Sequence, residues 1–109
     1  MATVIPVEEL RRTATAALFE GGDEAAISIF VTEFERGQGP ALHLHPYPEV
    51  FVVQTGTAAF TVGDEELRVT GGHVVVAPAQ TPHRFIATDD DTLRVIGVHP
   101  SGAVQQTDL

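Results

Sequence analysis

The chain has 109 residues, 43% of them hydrophobic, enough for one domain around one packed core. Six arginines and no lysine stand against 15 acidic residues, a formal charge of −9, which argues against nucleic acid and anionic membranes as partners. Without lysine there is no Schiff-base amine, and without cysteine there is neither a thiolate ligand nor a disulfide framework. The only serines, Ser28 and Ser101, lie outside any nucleophile-elbow context, and no glycine loop is built to cradle phosphate. What remains is chemistry at a metal, or binding without chemistry. No apolar run reaches transmembrane length and no basic-then-apolar leader opens the chain, so a cytoplasmic location is expected.

In chain order, Val4–Val7 reads as a short edge strand leading into one turn at Glu8–Arg12. Thr13–Phe19 fits a helix or a strand; the Gly21-Gly22-Asp23 break and the strand-rich context favour the strand. Ala26–Phe34 is β-branched and aromatic and reads as a core strand.

The stretch Gly37–Gly56 follows, with His43 and His45 spaced i, i+2. In an extended chain that spacing puts both imidazoles on one face, whereas on a helix they diverge. Pro46 and Pro48 exclude a helix there, so Glu49 becomes the first inward residue of the next strand. Two imidazoles and a carboxylate converging from one face make a divalent-metal site. Strands are then expected at Val50–Val53, Thr57–Val62, Glu66–Val69, His73–Pro78, His83–Ala87 and Leu93–Val98, separated by Gly63-Asp64, Gly71-Gly72 and the acidic Asp89-Asp90-Asp91. Pro100–Leu109 reads as a tail. Nine or ten short strands and no long helix mean an all-β antiparallel sandwich or barrel.

At this point the chain resembles the cupin superfamily. Gly37, His43, His45, Glu49 and Gly56 fit the first cupin motif at every defined position, and Gly72, Pro78 and His83 fit the second. Two positions depart from the second motif: Gln80 stands where glycine is usual, and Ala87 where asparagine is usual. The resemblance covers about residues 26–100. It implies a small jelly-roll barrel (a double-stranded β-helix) as a single domain over 1–109, with 1–25 and 101–109 as peripheral arms. It also implies that His83 joins His43, His45 and Glu49 around one divalent transition metal: iron, manganese, nickel, cobalt or zinc.

Strand alternation then places Phe51, Val53 and Phe85 on the inner face, and with Phe60 and the loop residue Gln80 they form the expected pocket for a small, largely apolar ligand. Glu49 doubles as a proton shuttle, and Tyr47, held between two prolines, is a candidate proton donor or packing residue. His73 reads as a surface histidine, Arg84 as outward-facing and His99 as structural. The implied function is metal-dependent catalysis on a small organic molecule, of dioxygenase, isomerase, lyase or cyclase type. The alternative is a barrel that binds or senses a small molecule without turnover. A homodimer is expected from the apolar outer sheet of such barrels.

Overall fold

The computed structural model describes residues 1–109, and its strands run in the order β1 (Ala16–Glu20), β2 (Ser28–Phe34), β3 (His43–Leu44), β4 (Glu49–Thr55), β5 (Thr57–Val62), β6 (Glu65–Thr70), β7 (His73–Ala77), β8 (His83–Ala87), β9 (Leu93–His99) and β10 (Thr107–Asp108). They form two five-stranded antiparallel sheets, ordered β1-β2-β9-β4-β7 and β10-β3-β8-β5-β6. This is the jelly-roll barrel. Chain neighbours such as β4 and β5 lie in different sheets, so the chain crosses between layers as it winds. No helix is long and apolar enough to cross a membrane.

Period-two burial runs through the long strands, as a half-buried sheet requires. β8 buries His83, Phe85 and Ala87 while Arg84 and Ile86 face out. β4 buries Glu49, Phe51 and Val53, and β9 buries Leu93, Val95, Gly97 and His99. The inward apolar residues meet in one core, where the rings of Phe51, Phe60 and Phe85 pack with centroids 4.9 to 5.7 Å apart. Burying one such ring contributes about 2–3 kcal/mol, and the tilted pairs add to that. The core fills one end of the barrel. At the other end the inward positions of the same strands turn polar, and that change positions the site.

Gly56 makes the crossing from β4 to β5 possible. Its φ of +80° suits glycine, and a Cβ there would lie 2.8 Å from the Leu93 backbone.

Three sequence expectations are corrected. Val4–Val7 forms no strand: Met1–Pro6 is irregular and Val7–Leu10 is a 3-10 turn. Pro6 has no N–H to give a ladder, and the edge of β1 is met only by an isolated Arg11–Ala17 bridge. The core strand expected over Ala26–Phe34 begins at Ser28, because Gly22–Ala25 forms one helical turn closed by Ala26 in the left-handed region at φ +58°. The two segments expected as peripheral arms are built into the barrel. β1 edges one sheet and β10 pairs with β3 in the other. Ser28 Oγ donates to the Ser101 carbonyl at 2.7 Å and the Gly22 N–H donates to the Gly102 carbonyl at 2.8 Å, which pins the tail to the barrel.

Candidate metal centre

Three elements bring the four donors together. β3 presents His43, the Pro46–Pro48 bend separates His45 from Glu49 at the head of β4, and His83 opens β8 directly opposite His43. The ligand atoms of His43, His45, Glu49 and His83 lie within 4.8 Å of one another, and all four residues are buried. A residue pattern read as strand, bend, strand has become a pocket of nitrogen and oxygen donors.

The far side of each imidazole fixes its tautomer. Nδ1–H of His43 donates to the Ala41 carbonyl at 2.6 Å, that of His45 to the Gln105 carbonyl at 2.7 Å, and that of His83 to the Thr81 carbonyl at 3.0 Å. Carbonyl oxygens only accept, so in each neutral ring Nε2 is the bare nitrogen, directed inward. Glu49 Oε1 stands 3.0 Å from His45 Nε2 and 3.2 Å from His83 Nε2. With all three rings neutral, lone pairs face a carboxylate: the His83 contact has a hydrogen-bond geometry that only a proton on Nε2 would fill, and His45 Nε2 has no aligned hydrogen-bond partner although it is fully buried. Such a cluster calls for a cation. Either a proton joins it, or a divalent ion does.

The titration behaviour follows. Burial opposes ionisation of Glu49, but an N–H turned to it by a doubly protonated His45 or His83, or by His99, outweighs that and holds the carboxyl well below the usual range. Burial works against a charged His45 as well, yet Glu49 and the Gln105 carbonyl overcome it and raise its pKa. His43 moves down, chiefly through burial, and so stays neutral.

A cavity of about 470 Å3 opens beside this cluster, between the sheets. His43 and Glu49 line it, with Phe30, Phe34, Phe51, Phe85 and Val95 as apolar wall. Residues from both former "arms" complete it: Thr13, Thr15 and Ala16 on one side, Gln106, Asp108 and Leu109 on the other. Of the expected pocket residues, Phe51 and Phe85 lie on this wall. Val53 and Phe60 sit behind it in the core. Gln80 is exposed on its loop with φ +57°, its N–H bonded to the His45 carbonyl, and does not reach the cavity. No arginine lines the cavity.

Tyr47 and His99 form a second layer. Tyr47 Oη accepts the Gln105 N–H at 3.1 Å and shares a hydrogen bond of 2.8 Å with His99 Nδ1. It does not line the cavity. His99 is 1% exposed, lines the cavity, and brings Nε2 to 3.1 Å from Glu49 Oε2. The sequence reading assigned it a structural part and gave Gly97 and Gln105 none. A glycine inside Val-Ile-Gly-Val-His was a readable signal, because strand glycines mark close approaches; Gln105 acts through its backbone and left no signal.

The model of the family described as "Cupin domain" matches residues 30–99. This chain belongs to the cupin family. It is 36% identical over 75 residues to an uncharacterised protein of Streptomyces coelicolor, SCO3923, covering 69% of this chain and 70% of that one. Among solved structures, an uncharacterised protein with a double-stranded β-helix domain from Klebsiella pneumoniae superposes with TM-score 0.74 at 19% identity, covering 96% of this cupin and 89% of that chain. Oxalate decarboxylase from Bacillus subtilis, a protein with Mn(II) centres, superposes with TM-score 0.79 at 17% identity. The match takes in 90% of this cupin but only 29% of the decarboxylase chain. At these identities the two structures show the fold.

Proposed function

We propose that this cupin is a metal-dependent enzyme acting on a small, largely apolar organic molecule that carries an oxygen donor. The observation behind it is the convergence of three bare imidazole nitrogens and one carboxylate oxygen beside an apolar cavity, with His43 and Glu49 on its wall. His43, His45, Glu49 and His83 would hold one divalent ion, and the nitrogen–oxygen set without sulfur suits iron, manganese, nickel, cobalt or zinc. Bound there, such an ion supplies Lewis acidity or, if redox-active, oxygen activation.

The chain's own residues do the rest. Phe30, Phe34, Phe51 and Phe85 accept the apolar body of a substrate and exclude water from it. His43 and Glu49 are the donors on the cavity wall, so a substrate oxygen would meet the centre from that side. The contacts that keep Glu49 ionised make it a good ligand and a weak base, which tells against the proton-shuttle role. Tyr47, turned toward His99, serves as a positioning residue in this reading. The decarboxylase acts on oxalate; with no arginine on the cavity wall and a formal charge of −9, this cupin is better matched to neutral substrates than to a dianion.

Elemental analysis of the purified protein tests this first. About one transition metal per chain is expected, followed by turnover of hydroxylated or carbonyl compounds in an oxygen-dependent or Lewis-acid assay; no metal after reconstitution would overturn the reading. The non-catalytic reading draws support from one observation: outside the donor set, the only ionisable side chains on the cavity are His99 and Asp108. Tight ligand binding with no turnover by the metal-loaded protein would favour it.

A homodimer is proposed as well, through the outer face of the first sheet. The strand registers align Ile29, Val98, Val50 and Val76 in one cross-strand row and Val31, Ile96, Val52 and Val74 in the next. Val74 and Val76 are 60% and 57% exposed in the single chain. Two copies of so acidic a chain would repel across charged surfaces, and this uncharged grid is where they can meet. Val52→Asp should turn a dimer into a monomer in sedimentation; a wild-type monomer would sink the idea.

A further inference from the structure

Four histidines surround Glu49, and the structure wires them in two opposite ways. Three donate through Nδ1 to backbone carbonyls and turn a bare Nε2 inward. His99 is reversed. The Gln105 N–H occupies one lone pair of Tyr47 Oη, His99 Nδ1 is the protein acceptor within reach of the phenol proton, and the carboxylate facing His99 Nε2 can only accept, so together they assign the phenol as donor to Nδ1. The remaining ring proton of neutral His99 must then sit on Nε2, the atom 3.1 Å from Glu49 Oε2. Its N–H is not yet in line with that oxygen, leaving Nε2 without an aligned partner in a fully buried position. A small carboxylate rotation would complete the bond.

Gly97, two residues before His99 on the same face of β9, forms the other side of this seat. A Cβ at Gly97 would fall 2.5 Å from Glu49 Oε2, so the oxygen occupies space that any side chain would take. The two oxygens of Glu49 therefore have separate surroundings: Oε1 among bare imidazole nitrogens, Oε2 between a ring donor and a glycine.

We propose that His99, oriented by Tyr47 and accommodated by Gly97, is a positioning residue that ties down Glu49 Oε2 so that the carboxylate offers a metal Oε1 alone. This rests on the metal-binding reading above. Its consequence is coordinative room: four single-atom donors on a six-coordinate ion leave two positions for water or substrate, whereas a two-oxygen grip by Glu49 would leave one.

Two measurements test it, the first needing no metal. Long-range proton–nitrogen NMR of the apo protein should show His99 protonated at Nε2 with a bare Nδ1, and Tyr47→Phe should admit the other tautomer. A His99 carrying its proton on Nδ1 in the wild type would overturn the proposal, whatever metal the protein binds. The second is water-proton relaxation of the Mn(II)-loaded protein. His99→Leu should lower the inner-sphere water contribution roughly twofold, from two waters to one, while His99→Gln, which keeps a donor, should retain most of it. Equal water numbers in wild type and His99→Leu, with both variants folded and loaded, would also overturn it. Failure of the wild type to take up Mn(II) or any other divalent ion would instead count against the metal reading itself, leaving the NMR result to decide the wiring.

Discussion

The two sides of the Glu49 carboxylate teach different lessons about how a buried charge is managed. On the Oε1 side three imidazoles, their outer nitrogens fixed to carbonyls, present a surplus of lone pairs that only a cation can balance. On the Oε2 side a donor and a gap left by glycine hold an oxygen without any surplus. One side is built to recruit, the other to orient. The first draws His43, His45 and Glu49 from one short stretch, with His83 added 34 positions on; the second brings His99 from β9 to a Tyr47 partner 52 positions away.

Breaking the recruiting side should have the largest effect. His45→Ala removes a donor and is expected to abolish most metal uptake, read by elemental analysis, and to erase the rise in Tm that metal gives the wild type. Equal metal content in mutant and wild type would remove His45 from the ligand set. Next comes truncation after Val104, which takes away the Gln105 carbonyl that orients His45 and the N–H that orients Tyr47. It should weaken metal affinity roughly 10–100-fold in competition titrations while the β4–β9 core stays folded by circular dichroism.

The pH dependence sharpens the comparison. Glu49, depressed in the fold, adds stability above its unfolded pKa that is lost as pH falls through the lower folded value. His45, raised in the fold, adds stability below its unfolded pKa that is lost as pH rises through the higher folded value. In the apo protein both contributions therefore hold between the unfolded pKa of Glu49 and that of His45, and the His45 part alone is lost as pH rises through its raised folded value. Metal must displace the His45 proton, so its affinity should fall about tenfold per pH unit below the raised His45 pKa. The gap between metal-loaded and apo Tm should thus widen as pH rises through neutrality; a gap independent of pH would mean that no imidazole proton is displaced. The smallest effect is expected from Tyr47→Phe, which should cost the apo protein about 1–2 kcal/mol in denaturant unfolding, because both hydrogen bonds of the phenol are lost.

How much of this was legible follows from the same contrast. His43, His45 and Glu49 announced themselves because prolines on either side of Tyr47 forced an extended chain, in which i, i+2 spacing has one meaning. His83 was placed by the second motif, and burial of Phe51, Phe85 and Ala87 followed from alternation. His99 was not legible, since a histidine beside Pro100 has many ordinary explanations and its distinction is a partner 52 residues away. Nor was Gln105, which serves through main-chain atoms that every residue possesses. The fate of Val4–Val7 turned on whether a neighbouring strand lay alongside, and a hydrophobic pattern carries no record of its neighbour.

The tail carries a practical consequence. Leu109 lies on the cavity wall with its side chain partly in solvent, and Asp108 pairs with His43 in the β10–β3 ladder. A polyhistidine purification tag fused after Leu109 would start at the cavity mouth and hold spare imidazoles beside the donors, competing for the ion under study. Met1, fully exposed at the other terminus, is the safer point of attachment for any sample meant for counting metal.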